Sequence, residues 1–232
     1  MPMRGKQPSG LLTQQKMLRS AVALFLEKGY ERTTTAEIAR AAGMTPSAFF
    51  RAYPSKEALL LELVQRMFAG QFALAGRFAG TDDPVMLYAV ETALQIQIAE
   101  LSEPLRDLYV TGYSLPSTTR YIYRSTAARL QPIFGVYWPE AEPKDFYELD
   151  IASASVMRGF MAVPCDVYFT MERKLRRFLD CTLRLYRVPP EKSAAIADTI
   201  AKMDLREAAE GIIRETVRRA EDGTLTQSVH LP

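Results

Sequence analysis

Along the chain, apolar residues return every three or four positions and almost nowhere every second one. Leu18, Ala21, Val22 and Phe25 fall at i, i+3, i+4 and i+7 and share one helical face. Leu60, Leu63, Val64, Met67 and Phe68 repeat the pattern, and so do two later stripes. These are Leu175, Phe178, Leu179, Thr182 and Tyr186, and then Leu205, Ala208, Ala209, Ile212 and Thr216. No segment alternates as a strand would, so the pattern predicts an all-α fold of about ten helices. Breaks at Gly29, Gly43, Pro54, Pro116 and residues 80–84, 138–143, 188–190 and 203–204 divide them. Ser117, Thr170 and Asp204 read as helix caps, the last with Glu207 three positions on. Pro132 and Pro164 fall inside helical pattern, where the missing N–H should kink or end a helix.

The most informative break lies in residues 33–60, TTTAEIARAAGMTPSAFFRAYPSKEALL. Thr34 or Thr35 can cap a helix reaching about Ala42, and Gly43 supplies left-handed C-cap geometry. Thr45 then caps a second helix with Pro46 at its first position, where a missing N–H costs nothing. Pro54 disfavours helix at Tyr53, so this helix stops near Ala52, and Ser55 caps a longer one. Two helices too short to stand alone, joined by a glycine turn and braced on both sides, make a helix-turn-helix. One braces; the other can enter the major groove of DNA with its N-terminal residues facing base edges. The same spacing also fits a merely packed three-helix corner.

Charge tilts the balance towards a polyanion. The whole chain of 232 residues carries a net charge of +2, yet residues 1–68 hold ten Lys or Arg against five Asp or Glu. The remainder is mildly acidic. His230 is the only histidine and lies in a polar tail, which argues against histidine catalysis and the common zinc sites. Cys165 and Cys181 lack CxxC spacing and read as reduced, buried thiols of a cytoplasmic protein. No apolar run approaches the roughly 18 residues of a membrane span, and the first ten residues have no apolar signal core. No cofactor motif or metal-ligand cluster is evident, and an enzyme on this scaffold is the remotest reading.

Leu24-Phe25, Gly29-Tyr30, Thr34-Thr35, Ile38-Ala39 and Ala42-Gly43, then Tyr53, Ser55-Lys56-Glu57 and Leu59-Leu60, stand at fixed spacings. On these residues, positions 12–64 closely resemble the N-terminal domain of tetracycline-repressor-like (TetR) transcriptional regulators. The resemblance implies that Pro46, Ser47 and Ala48 face bases and that Thr35, Thr45 and Lys56 face phosphates. Three departures matter. Phe50 stands where the family usually has a backbone-contacting tyrosine, Ala52 replaces a larger residue, and Ser47 replaces a common glycine. Arg51 can supply a lost phosphate or guanine contact, while Ala48 and Phe50 suit thymine methyls.

The resemblance further implies two domains, and the chain pattern adds a tail at each end. A DNA-binding domain spans residues 11–68, a helical ligand-binding and dimerisation domain spans 69–222, and flexible tails span 1–10 and 223–232. Tyr88, Tyr109, Tyr113, Phe134, Tyr137 and Trp138, with Met157, Phe160 and Met161, are the candidate pocket lining. Core packing is the plainer account of each one taken singly. On the helix around residues 145–162, Ala152, Ser155, Gly159 and Ala162 form an all-small face that permits close approach of another helix. That face suits a dimer interface, shared with Leu175, Phe178 and Leu179 of the next helix, whose charges (Lys174 among them) would form its rim.

The expectation is therefore a homodimeric regulator of double-stranded operator DNA, a repressor released by a small hydrophobic or aromatic ligand. The helix over residues 55–79 would act as lever between the two domains. The alternative is a DNA-binding regulator without a small-molecule inducer.

Overall fold

A computed structural model describes residues 8–222, leaving out the side chains of residues 8, 9, 68–75 and 77. The expected tails before residue 8 and after residue 222, His230 and the side chain of Phe68 lie outside the described residues. Among the described residues the chain forms eleven α-helices and no strand. The first four are α1 (Pro8–Lys28), α2 (Thr35–Ala41), α3 (Pro46–Ala52) and α4 (Lys56–Ala79). Then follow α5 (Pro84–Leu101), α6 (Glu103–Gly112), α7 (Pro116–Phe134) and a 3-10 turn (Gly135–Tyr137). The last four are α8 (Pro143–Ala162), α9 (Met171–Leu185), α10 (Pro190–Ile200) and α11 (Leu205–Glu221). α1 thus begins at Pro8, inside the expected N-terminal tail.

Local chemistry sets most boundaries. Thr34 caps α2 with a reciprocal bond to Glu37, and Ser55 accepts the N–H of Ala58 at the start of α4. Thr170 and Asp204 cap α9 and α11 through the N–H groups of Arg173 and Glu207. Ser117 is not a cap: Leu115 holds that position, Pro116 opens α7, and Ser117 lies within the first turn. Pro132 is tolerated inside α7, which ends two residues later, whereas Pro164 falls just beyond the end of α8.

Two hydrophobic cores organise the chain. The first joins Met17, Leu18, Ala21, Val22 and Phe25 of α1 to Ile38, Ala39, Phe49, Tyr53 and the α4 residues Leu59, Leu60 and Leu63. It also takes in Leu108, Ile122 and Ala220 from α6, α7 and α11, so the first four helices are packed against the rest. The second core surrounds α5, which is buried on all sides between α4, α6, α8, α9 and α11. Such a helix should be apolar throughout. Instead, Glu91, Thr92, Gln95 and Gln97 are buried within it.

Charged anchors tie the elements together. Lys174 is fully buried, its ammonium bonded to Glu100 Oε1 at 2.5 Å and to the carbonyl of Val163. Glu100 also accepts the backbone N–H of Cys165 and faces Arg106, which links α5, α6, α9 and the loop after α8. Lys174 therefore belongs to the interior, not to an interface rim. Cys165 and Cys181 are free thiols.

Candidate functional site

The reading helix is built by division of its two faces. On α3, Ala48 and Phe49 are buried, while Pro46, Ser47, Phe50 and Arg51 are exposed at i, i+1, i+4 and i+5. Phe49 packs on Tyr53 and edge-on to Phe50, and Gln14 of α1 donates to the carbonyl of Ala52 at 2.8 Å. The turn before it closes through Gly43 N–H to Arg40 O and Met44 N–H to Ala39 O, with Gly43 at φ +71°. Thr45 and Ser47 share a hydroxyl contact of 3.1 Å at the exposed N-terminus. Ala48, expected to face bases, is only 5% exposed and packs in the first core. Its neighbour Phe50, at 59%, is the large side chain presented outward.

Thr35 is half-buried in the first turn of α2, and Lys56 is turned inward. The Lys56 ammonium donates to the carbonyls of Tyr30 at 2.9 Å and Thr33 at 3.0 Å, and lies 4.0 Å from the Tyr30 ring centre. Its first task is to hold the α1–α2 turn against α4. The same turn is fixed to α6, since Asp107 accepts the N–H of Glu31. Gly29 sits so near that an added Cβ would meet Asp107 Oδ2 at 2.6 Å.

A second site opens inside the larger part. Tyr88, Glu91, Thr92 and Gln95 line it from α5 and Asp150, Ser153, Ala154 and Met157 from α8, each set at i, i+3, i+4, i+7. Ile122, Thr126, Arg129, Leu130 and Ile133 from α7 and Tyr113 from the end of α6 complete the pocket. Tyr113 donates to Gln95 at 2.7 Å, and Tyr186 donates to Ser153 at 2.7 Å. Ser153 in turn lies 3.2 and 3.4 Å from the carbonyl and Oδ1 of Asp150. Burial pushes Glu91 up to about 8, with Arg129 pulling it back. Burial lowers Arg129 to about 10, opposed by Glu91. Burial also raises Asp150 to about 7, and there only the Ser153 hydroxyl opposes it.

Of the expected ligand residues, Tyr88, Tyr113 and Met157 line this pocket. The others do not. Phe134 stacks on Tyr186 at 4.2 Å, and Met161 is buried in the same core. Phe160 packs against Phe169 and Phe178, Trp138 lies under the Arg187 guanidinium, and Tyr137 faces Lys192. Tyr109 lines a separate apolar gap along α4, walled by Leu60, Leu63, Val64, Met67, Leu108 and Gly112. Tyr113 and Ile122 belong to both cavities. The pocket is thus more polar than aromatic counting suggested. Its signal was present in the sequence as Glu91 and Gln95, one turn apart in an otherwise apolar helix.

The expected interface divides likewise. Leu175, Phe178 and Leu179 are buried in this chain's own second core and are unavailable to another copy, because α5, α8 and α10 of the same chain pack against α9. On α8, by contrast, Ser155, Gly159 and Ala162 are exposed and Ala152 half-buried. Beyond its neighbours and its own helix backbone, a Cβ added at Gly159 would find no atom within 4 Å.

A short capped helix, a glycine turn and a second short helix with an exposed face, braced by α1 and α4, make a helix-turn-helix, a motif with which DNA-binding proteins enter the major groove. Residues 17–63 match the family model of bacterial regulatory proteins, tetR family. The match spans the helix-turn-helix and parts of its bracing helices, and is a likeness to a family of DNA-binding transcriptional regulators. The chain is 45% identical over 49 residues to the HTH-type transcriptional regulator TcmR of Streptomyces glaucescens, covering 21% of this chain and 22% of TcmR. It is 36% identical over 59 residues to YuxN of Bacillus subtilis (strain 168), an uncharacterized HTH-type transcriptional regulator, covering 25% and 20%. The chain thus spans about a fifth of either relative's length. SmeT, repressor of the Stenotrophomonas maltophilia multidrug efflux pump SmeDEF, shares the fold. Its structure gives a TM-score of 0.54 at 22% identity, over 76% of this chain and 91% of SmeT. Among the described residues no helix is long and apolar enough to cross a membrane, and no cluster of three or more His, Cys, Asp or Glu could hold a metal ion.

Proposed function

We propose that the protein is a homodimeric repressor that leaves its operator when a small molecule enters the pocket between α5, α7 and α8. The observation that carries this reading is the sharing of Tyr113 and Ile122 between that pocket and the apolar gap along α4. A ligand that moves Tyr113 presses on the helix whose first turn abuts the reading unit. With 24 residues, α4 is a lever about 36 Å long that belongs to both cores. The ligand must bind the DNA-incompetent arrangement more tightly, since equal affinity for both shifts nothing. Pro46, Ser47, Phe50 and Arg51 would meet the DNA, with Thr35 and Thr45 near its phosphates. The exposed small face of α8 would meet the same face of a second copy. A regulator without a small-molecule inducer would fit a sealed core, which the open pocket argues against.

The test selects bound duplexes from random DNA and titrates the chosen site by fluorescence anisotropy. Two chains on a palindrome with half-sites about 34–36 Å apart are expected. One chain on an asymmetric site would overturn the dimeric reading. Compounds that raise the melting temperature should release the duplex. Stabilising compounds that leave DNA affinity unchanged would overturn the ligand response.

A further inference from the structure

Resting on the reading of this pocket as a ligand site, we propose that it selects a protonated amine carried on an apolar body. The Asp150 carboxylate is the amine's counter-ion, and the rings of Tyr88 and Tyr113 are its walls. Asp150 is 3% exposed and lines the pocket, and its Oδ2 makes no hydrogen bond. A buried carboxyl oxygen left without a donor is costly, and native structures rarely keep one without a use. The other two charges in the pocket face each other, Glu91 acting on Arg129 and Arg129 on Glu91. Asp150 has no such cation.

The group that completes it must therefore bring donors, and a positive charge answers the carboxylate best. Two tyrosines on the lining add the negative faces of their rings, which attract a cation once water is excluded. Ile122, Leu130, Ile133 and Met157 leave the rest of the lining apolar, which suits a hydrocarbon or aromatic body. An anionic ligand would meet two acids, and the one guanidinium on the lining, Arg129, already acts on Glu91. Burial holds the Asp150 carboxyl near neutrality's edge, so amine binding at about pH 7 releases its proton to solvent.

The experiment is calorimetric titration of the full chain with N-hexylbenzylamine, charged at neutral pH, and N-hexylbenzamide, a neutral donor of similar size. The wild-type protein should prefer the amine by at least about tenfold, the worth of one charged hydrogen bond. Asp150→Asn should erase that preference while changing amide affinity less than about twofold. Repeating the amine titration in buffers of different ionisation enthalpy should reveal proton release that Asp150→Asn lacks. Equal affinity for the two compounds, binding of neither, or a preference that survives Asp150→Asn would overturn the proposal. The wild-type comparison needs no variant, so a poorly folded Asp150→Asn does not shield the proposal from it. DNA release is read separately. An amine that binds through Asp150 without releasing DNA would refute the ligand response and keep the selectivity. Compounds that release DNA with no preference for the amine would do the reverse.

Discussion

Glu57, in the first turn of α4, accepts both the backbone N–H and the hydroxyl of Ser117, in the first turn of α7, at 3.3 and 2.5 Å. One carboxylate thus joins the residue next to Lys56 to the helix that lines both cavities. Ser117→Ala removes the shorter bond and should cost about 1 kcal/mol in urea unfolding. If α4 transmits ligand binding, the variant should also show a smaller ligand effect on DNA affinity. An undiminished effect would move the coupling to the Asp107–Glu31 contact instead.

Lys56 is engaged by two backbone carbonyls, so its loss acts first on folding. Lys56→Met should destabilise the protein by about 1–3 kcal/mol, because two part-buried acceptors lose their donor. The salt dependence of DNA binding should barely change. Arg51→Ala, on the exposed face, should instead leave stability intact and reduce the salt slope by about one phosphate's worth. Paired unfolding and salt titrations of both variants separate the two roles.

Base reading should follow the exposed face of α3. Ser47→Arg is expected to change the consensus recovered from randomised duplexes. Ala48→Gln should mainly lower stability, by about 1–3 kcal/mol, since its side chain points into the first core. A new consensus from Ala48→Gln with unchanged stability would contradict this division. Phe50→Tyr adds an exposed hydroxyl and should tighten binding to all duplexes by up to about 1 kcal/mol.

A Cβ added at Gly159 finds nothing within 4 Å beyond its own stretch of helix, so the monomer should tolerate Gly159→Leu. In a symmetric pairing of α8 with α8 the added bulk appears twice. Sedimentation should show dissociation at concentrations where the wild-type protein is dimeric, and operator affinity should fall with it. A wild-type-like dimer would place the interface elsewhere on the surface.

The buried acids predict a pH dependence of stability. Glu91 and Asp150 titrate near 8 and 7 in the folded protein, against ordinary values of about 4.3 and 3.9 in the unfolded chain. The folded state therefore holds protons that the unfolded state has released. Their contribution is fully present below about pH 4 and is lost as pH rises through 7 and 8. Between about pH 5 and 9 the melting temperature should decline, and less steeply in the Glu91→Gln, Asp150→Asn double variant. Parallel declines in the two proteins would contradict the assignment.

Periodicity located the helices because burial selects one face, and Leu18, Ala21, Val22 and Phe25 do lie in a core. Caps were legible where a single side chain decides, as at Thr34, Ser55, Thr170 and Asp204. Ser117 misled because a proline beside it already opens the helix, leaving the hydroxyl free for Glu57. Leu175, Phe178 and Leu179 form a stripe that reads alike whether its partner is a second copy or α5, and sequence spacing carries no such distinction. The pocket was hidden for another reason. Its chemistry comes from single polar residues on three helices, whereas most of the aromatic residues that drew attention pack elsewhere, Phe134 on Tyr186 and Phe160 on Phe178 among them.

The pocket takes its lining from α5, α7, α8 and the end of α6, and none of it from α1, α2 or α3. On the proposed reading, mutational drift at Glu91, Arg129 or Asp150 would exchange one signal for another without rewriting which DNA is read. Drift at Ser47 or Arg51 would redirect the protein to new genes while it kept its chemical input. Tyr113 and Ile122 are denied that freedom because they line both cavities, and descendants that diverge in every other lining residue should still agree at these two.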